Sequence, residues 1–287
     1  MANTILMTHE AIELEGTVIS GGTAASSSMA LENVLTVQPS EFARFVSDVA
    51  ATTYFIINTA LGAVGGERSI AVFVGYSNVS ARATIRLRVA SSEANTTASP
   101  LYDTGVVNFW HDTSVGPFTT TTYVKPFPRG GHHLFVIDAA DADVDMRWWR
   151  IDIDDEGENT DGWVQVGVIN IGEVFAATNP INNGWSFGAA PIWVGQTAMG
   201  GQKYRRSVAA PGVVEATWQM TSQAEANRLH NIIRNNAEAK AMLCVIDAED
   251  DTGIMNNTAW GHMTATQPIA VPHYGLWQTT LRVEEMP

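Results

Sequence analysis

The densest group of potential metal ligands in this sequence is an acidic loop over residues 154–162. Its candidate ligands are Asp154, Glu156, Glu158 and Asp161. Carboxylate oxygens suit Ca²⁺, so a calcium site on these four residues is one reading. Their spacing does not match an EF-hand loop, however, and a solvated turn explains the same composition. We therefore predict a turn and no metal, with calcium as the alternative.

Aromatic residues are interleaved through residues 102–127, a segment that prolines divide into short pieces. Aromatic rings on loops at one end of a β-sandwich can form a platform on which a sugar stacks. The candidates for stacking are Tyr102, Trp110 and Tyr123. The alternative is that these rings close the hydrophobic core or lie in a subunit interface.

No residue pattern indicates an enzyme. His132 and His133 are adjacent, so on a strand they point to opposite faces and do not share a metal. Cys244 lies in the apolar run 241–246, where a small buried side chain is a better interpretation than a nucleophile. There is no nucleophile-elbow, phosphate-loop or dinucleotide-binding motif, and no carboxylate pair stands out for glycoside hydrolysis. We predict no catalytic residue and no cofactor.

Composition excludes several classes of partner. The chain of 287 residues has 16 Lys and Arg against 30 Asp and Glu, a formal charge of -14, which would repel a nucleic-acid backbone. A single cysteine excludes an internal disulfide framework. No apolar run is long enough for a membrane span, and no signal peptide is evident. We expect a soluble protein made in a reducing cytoplasm.

Period-two alternation of apolar and polar residues predicts strands. Residues 83–89 and 148–154 alternate cleanly, and residues 163–172 form a further strand after the acidic loop. The sequence predicts that the strands at 148–154 and 163–172 pair as a long hairpin, with the acidic loop at its tip. Short strands between Gly and Asn turns, without helical periodicity before about residue 220, indicate an antiparallel β-sandwich.

One helix is predicted, over about residues 222–238. Ser222 and Glu225 have capping-box spacing. One helical face carries the apolar residues Ala226, Leu229, Ile232 and Ile233. Turn dipeptides near residue 178 indicate a domain boundary. We predict a lead-in over residues 1–29, a jelly-roll β-sandwich over 30–177, and a small α+β domain over 178–287 with its helix on an antiparallel sheet.

Short motifs in the first domain resemble the galactose-binding-like, discoidin-type β-sandwiches found in structural proteins of tailed bacteriophages. The resemblance covers residues 28–175. It is carried, in order, by residues 30–35, 75–80, 149–151, 161–167 and 171–172.

The second domain is similar to those of phage tail proteins that build or attach to the distal tube. This similarity is carried by residues 213–218, the helix, and residues 243–247, 260–261 and 281–285. The resemblance implies a non-enzymatic virion component, a minor tail or tail-tip protein. Such a protein would assemble as a ring of symmetry-related copies and would contact other tail proteins. A carbohydrate-binding module for host recognition is the alternative function, and a depolymerase-type hydrolase comes third.

Overall fold

The computed structural model describes residues 5–8, 17–59, 69–110, 131–141, 145–157, 159–176, 185–189, 192–197, 203–209, 211–236, 240–246, 258–266, 268–273 and 275–286. The protein is mainly β, with antiparallel sheets and few helices. It divides into two compact units. The sandwich unit is His9–Val174, and the helix unit is Met1–Thr8 with Phe175–Pro287.

Strands are numbered here in chain order. The first ten are β1 (Ile5–Thr8), β2 (Val18–Gly21), β3 (Ala43–Arg44), β4 (Tyr54–Asn58), β5 (Ile70–Ser77), β6 (Thr84–Ala90), β7 (Tyr102–Asp103), β8 (Val107–Asn108), β9 (Gly131–Ile137) and β10 (Trp148–Asp154). The others are β11 (Gln165–Val166), β12 (Val168–Phe175), β13 (Trp185–Ala189), β14 (Ile192–Thr197), β15 (Lys203–Ala209), β16 (Gly212–Met220), β17 (Ala241–Val245), β18 (Thr258–Thr266), β19 (Ala270–His273) and β20 (Leu276–Glu285). The α-helices are α1 (Asn95–Ala98) and α2 (Gln223–Asn236).

The sandwich unit contains two antiparallel sheets. One has the strand order β2-β4-β10-β6-β7, with β8 also paired to β6, and the other has the order β12-β5-β9. A short ribbon pairs β3 with β11. Strand β5 lies between two neighbours and is almost entirely apolar, which is typical of a strand buried on both faces. The β-sandwich predicted from the sequence is confirmed.

Strand β10 lies between β4 and β6 and alternates strictly between core and surface. Trp149, Ile151 and Ile153 are fully buried, whereas the polar residues between them are partly exposed. The buried Trp149 indole donates a hydrogen bond to the Thr59 hydroxyl at 3.1 Å. Alternate residues of β10 therefore point into the core and to the outer face of the sheet, as the period of two in the sequence predicts.

The predicted pairing of residues 148–154 with 163–172 is wrong, although both strands exist. Both edges of β10 are occupied, by β4 on one side and β6 on the other. After the acidic loop the chain enters the second sheet, where β12 pairs with β5. A pattern of period two shows which face of a strand is buried, but it does not identify the neighbouring strand.

The helix unit contains an antiparallel sheet of order β13-β16-β20-β18-β17-β1, with β19 paired to β20. Strands β14 and β15 form a separate hairpin. The core on this sheet includes Phe175, Trp218, Leu229 and Leu281, with Ile232 and Ile233 of α2 packed against it. The predicted helix on an antiparallel sheet is confirmed, and α2 begins and ends within two residues of the predicted bounds.

The start of α2 is a capping box. The Ser222 hydroxyl accepts a hydrogen bond from the Glu225 amide at 3.2 Å. In return, the Glu225 carboxylate accepts from the amides of Ser222 at 3.3 Å and Thr221 at 3.1 Å. These bonds satisfy amide groups that have no partner within the helix.

The first twenty-nine residues, predicted as a lead-in, contribute strands. Strand β1 pairs with β17 of the helix unit, and Leu6 and Met7 are fully buried. Strand β2 pairs with β4 of the sandwich unit. The predicted boundary near residue 178 stays a prediction, because residues 177–184 lie outside the described residues. Among the described helices, none has the length and apolar character needed to span a membrane.

We expect Ser222→Ala to lower the free energy of unfolding of the helix unit by about 1 kcal/mol, because the Glu225 amide loses its acceptor. Urea titration followed by far-ultraviolet circular dichroism measures the change. Thr221→Ala is the matched control, since the bond from this residue to Glu225 uses its backbone amide. Equal effects of the two substitutions would contradict the capping role of Ser222.

Candidate functional site

The acidic loop begins with a buried carboxylate. Asp155 is buried, and its two oxygens accept hydrogen bonds from the Ser80 amide at 2.7 Å and from the Ser80 hydroxyl. Burial raises the pKa of Asp155, while the bonds from Ser80 act in the opposite direction. This part of the loop is therefore not the solvated turn expected from its composition, because Asp155 fastens it to the segment before β6.

Two of the predicted calcium ligands, Asp161 and Asp154, form separate hydrogen bonds. Asp161 accepts from the Asn78 side-chain amide at 3.0 Å, and Asp154 accepts from the Glu156 amide at 3.3 Å. Glu158 lies outside the described residues. Among the residues that the structure describes, no three His, Cys, Asp or Glu side chains are grouped so that they could hold a metal ion.

Two of the three aromatic candidates for sugar stacking, Tyr102 and Trp110, lie in the described part of the chain. Trp110 is only 7% exposed, and its indole donates a hydrogen bond to the Ser80 carbonyl at 2.7 Å. Tyr102 is half-buried on β7, where burial and the nearby Asp141 and Asp138 raise its pKa. Tyr123 lies outside the described residues. Burial of Trp110 leaves little of its ring for a ligand.

The histidine and cysteine candidates are buried. Nδ1 of His132 accepts a hydrogen bond from the Tyr76 amide at 3.2 Å, and Nδ1 of His133 lies 2.6 Å from the Phe109 carbonyl oxygen. Burial raises the pKa of the Cys244 thiol to about 12, so this group stays protonated and is a poor nucleophile. Each of these side chains is accounted for by packing.

A cleft of about 200 Å³, lined by both charged and apolar residues, lies on the outer face of the sandwich unit. Its floor consists of outward-facing residues of β6 and β10, where Thr84 is the cross-strand partner of Asp154 and Arg86 is that of Asp152. Arg88 continues this row along β6. Three apolar residues also line the cleft: Ile85 of β6, and Ala50 and Val106 from the loops beside the sheet.

Ion pairs hold the floor of the cleft in place. The Asp152 carboxylate accepts from Arg88 at 2.6 Å and from Arg150 at 2.9 Å. Arg86 donates two hydrogen bonds to Asp103, at 2.9 and 2.5 Å. This bidentate contact raises the pKa of Arg86 and lowers the pKa of Asp103, so both groups are charged at neutral pH.

The sequence carries a signal for this cleft in the alternation of its charged residues, and no motif marks it. Arg86 and Arg88 alternate on β6, as do Arg150, Asp152 and Asp154 on β10, and each set lies on one face of its strand. Pairing β6 with β10 would place the opposite charges together. That pairing is a property of the fold, and the sequence shows only which charges are neighbours along the chain.

A second surface feature is the exposed aromatic pair on β13. Trp185 is 42% exposed and Phe187 57% exposed, and their rings stack with centroids 5.6 Å apart. All five residues of β13 are exposed, and none is charged or a proline. In the described part of the helix unit, β13 is the last strand of its sheet, paired with β16. Natural edge strands usually carry charges or proline, which prevent association.

The segment that contains β13 is basic. Residues 174–214 contain Lys203, Arg205 and Arg206 and no acidic residue, although the chain as a whole carries a charge of -14. All three cations belong to β15, which pairs with β14 as a hairpin. The cations of this region are thus concentrated in one hairpin.

The solved structures that this chain resembles include two with weak similarity. A chain from the "tail of empty GTA particle", refined with C6 symmetry, is 15% identical, and the match covers 40% of this chain and 84% of that one, with a TM-score of 0.25. The structure of the M60 catalytic domain with two CBM51 domains from Clostridium perfringens ZmpB is 7% identical over 76% of this chain and 22% of that one, with a TM-score of 0.26. No family model and no curated protein matches the chain. Similarities of this size do not assign a function.

The two surface features offer different capabilities. The aromatic strand β13 offers apolar area and a strand edge, which are suited to a protein partner. The cleft offers donors and acceptors in a small volume, which are suited to a polar small molecule. Neither arrangement contains a nucleophile next to a base, so binding is the chemistry that these residues support.

We expect Asp155→Ala to lower the free energy of unfolding of the sandwich unit by about 1–3 kcal/mol, because the Ser80 amide and hydroxyl lose their acceptor. Urea denaturation followed by tryptophan fluorescence measures the change. Glu156→Ala is the control, since that side chain is exposed in the same loop. An Asp155→Ala variant with the same free energy of unfolding as the wild type would contradict the anchoring role of Asp155.

The pKa of Asp155 also predicts a pH dependence. Because this pKa is raised in the folded state above its ordinary value of 3.8, the folded protein holds the proton more tightly than the unfolded chain does. The contribution of this group to stability is therefore fully present below pH 3.8 and is lost as the pH rises through the folded-state pKa. Asp155→Asn removes the titration, so the stability difference between wild type and variant should be larger at pH 3 than at pH 7. A difference that grows with pH would contradict the raised pKa.

Proposed function

We propose that this chain is a non-enzymatic structural subunit of a tailed-bacteriophage virion. In this proposal it is a minor tail or tail-tip protein, made in the host cytoplasm, that assembles in symmetric copies and contacts other tail proteins. The observation that carries the proposal is the exposed, stacked Trp185–Phe187 pair on an uncharged edge strand. The motifs shared with phage structural proteins supply the virion context.

The exposed pair favours a protein partner because of its chemistry and position. Trp and Phe are enriched at the centres of protein interfaces, where they bury large areas with few rotatable bonds. Their strand can also add hydrogen bonds, since an edge strand can pair with a strand of another chain. A partner on β13 would therefore bury both rings and extend the sheet.

The partner that fits this surface is a second copy of the chain. The basic segment of residues 174–214 contains β13 and contrasts with the strongly acidic remainder. A basic hairpin of one copy would be attracted to the acidic surface of the next, which is a heterologous contact that can close into a ring. The same net charge disfavours nucleic acid as a partner.

We expect the purified chain to form oligomers that dissociate as salt is raised, because the attraction between copies is partly electrostatic. Light scattering after size-exclusion chromatography measures the mass. The double variant Trp185→Ser with Phe187→Ser should be monomeric, because it loses the apolar centre of the contact.

Leu101→Ser is the control for that experiment. Leu101 is 45% exposed, close to the value for Trp185, but it lies in the sandwich unit. Its substitution should leave the oligomer intact. The assembly proposal would be wrong if the wild-type chain stayed monomeric at low salt, or if the double variant assembled like the wild type.

Carbohydrate binding for host recognition is the second candidate function, and the cleft of the sandwich unit favours it. The ring platform expected from Tyr102, Trp110 and Tyr123 is a weaker basis, because Trp110 is buried. A depolymerase-type hydrolase ranks third, since no described residue has the surroundings of a catalytic nucleophile or general acid.

A further inference from the structure

We propose that His132 is an acid-sensitive switch in the sandwich unit. In its neutral form it stabilises a bulge at the end of β5, and the segment after this bulge binds the acidic loop. Protonation of the imidazole removes that support and loosens both segments. The proposal concerns the sandwich unit alone and does not depend on assembly through β13.

The irregular end of β5 is the first observation. The register between β5 and β9 shifts between Val74 and Ser77, so Gly75 and Tyr76 lie opposite the single residue His132, which is a β-bulge. Tyr76 has a φ of 60°, and among the residues that the structure describes it is the sole one besides glycines with a positive φ. This left-handed conformation is unfavourable for a residue with a side chain, so it depends on support from its surroundings.

His132 supplies that support. Its Nδ1 accepts a hydrogen bond from the Tyr76 amide at 3.2 Å. The two rings also meet edge to face, with centroids 4.9 Å apart, and the Phe73 ring lies 5.5 Å from the imidazole. Because His132 is only 8% exposed, little water is available to replace the imidazole as the acceptor of this bond.

The bond between His132 and the Tyr76 amide requires one protonation state. A ring nitrogen accepts a hydrogen bond only when it carries no proton, so the bond exists only with the neutral imidazole. In an unfolded chain, histidine takes up its second proton at about pH 6.5. Because the folded state favours the neutral form, the support from His132 is fully present above about pH 6.5 and is lost as the pH falls below that value.

The adjacent His133 makes the opposite kind of bond. Its Nδ1 lies 2.6 Å from the carbonyl oxygen of Phe109, and a carbonyl oxygen can only accept, so this nitrogen carries a proton. A second proton on the ring leaves that bond in place. Of the two neighbouring histidines on β9, His132 is therefore the one whose backbone bond is broken by acid.

The bulge is connected to the loops of the sandwich unit. The Gly75 carbonyl accepts a hydrogen bond from the Gly167 amide at 3.1 Å. Three residues further along the chain, the Asn78 side chain accepts from the Gln165 amide at 2.7 Å and donates to Asp161 of the acidic loop at 3.0 Å. A change at the bulge would therefore weaken the attachment of the acidic loop.

Other titratable groups at these strands and loops do not produce the same response. On β5 the group that faces His132 is the phenol of Tyr76, and a tyrosine phenol is neutral throughout the acid range. In the attached loop, Asp155 is the buried carboxylate, and Asp161 is bound to Asn78. Burial raises the pKa of Asp155, so its protonation favours the folded state, which is the opposite sign.

The test is amide hydrogen exchange of the full chain, followed by mass spectrometry of peptides that cover residues 73–82 and 155–167. Protection, corrected for the intrinsic exchange rate, is compared at pH 7 and pH 5. We expect protection of both segments to fall about tenfold at pH 5, which corresponds to the loss of one hydrogen bond. Peptides from β10 are the internal reference and should keep their protection.

Three variants separate the acceptor from the ring. His132→Asn keeps an uncharged acceptor near the position of Nδ1 and does not titrate, so both segments should stay protected at both pH values. His132→Phe keeps an aromatic ring without the acceptor, and both segments should be weakly protected at both pH values. His133→Asn is the matched control, because an amide can still donate to the Phe109 carbonyl, and it should respond like the wild type.

Equal protection at pH 7 and pH 5 in the wild-type chain would overturn the proposal, and this comparison needs no substitution. A response that persists in His132→Asn, or that disappears in His133→Asn, would also overturn it. Stronger protection at pH 5 would do the same, because that is the sign expected from Asp155. Each result is independent of the oligomeric state, so failure of this proposal is separate from failure of the assembly proposal.

Discussion

The sandwich unit depends on the position of β10 between β4 and β6. On its inner face Trp149, Ile151 and Ile153 are buried, and on its outer face Asp152 binds two arginines. The burial of three large side chains supplies apolar stabilisation, at about 25 cal/mol for each Å² removed from water. The same backbone therefore supports both the core and the floor of the cleft, and a register shift of one residue would exchange the two.

The loops around the sandwich are held by side-chain to backbone bonds. Asp155 is bound to Ser80, and Asn78 contacts Asp161, the Trp163 carbonyl at 3.0 Å and the Gln165 amide at 2.7 Å. These bonds join the segment after β5 to the segment after β10. Carboxylates and amides that seem available for a metal in the sequence are thus used to connect loops that lie far apart in the chain.

The two units differ in what their surfaces offer. The sandwich unit presents arranged charges in a small cleft, whereas the helix unit presents aromatic rings on an uncharged strand. The first suits a small polar molecule and the second a protein. A protein that is held in an assembly by its helix unit and presents a binding site on its sandwich unit would use both surfaces.

The sequence alone determined several of the elements. Alternation on β6 and β10, the apolar run of β17, and the capping box at Ser222 and Glu225 each predict a local structure from neighbouring residues, because strand faces and helix ends are set within a few positions. The tertiary structure decided which elements meet. It placed β10 beside β6 and β4 instead of the strand that follows it, buried Asp155 against Ser80, and buried Trp110. The cleft followed from that pairing, since Arg88 and Asp154 are distant in sequence and only long-range strand pairing brings their charges to one face.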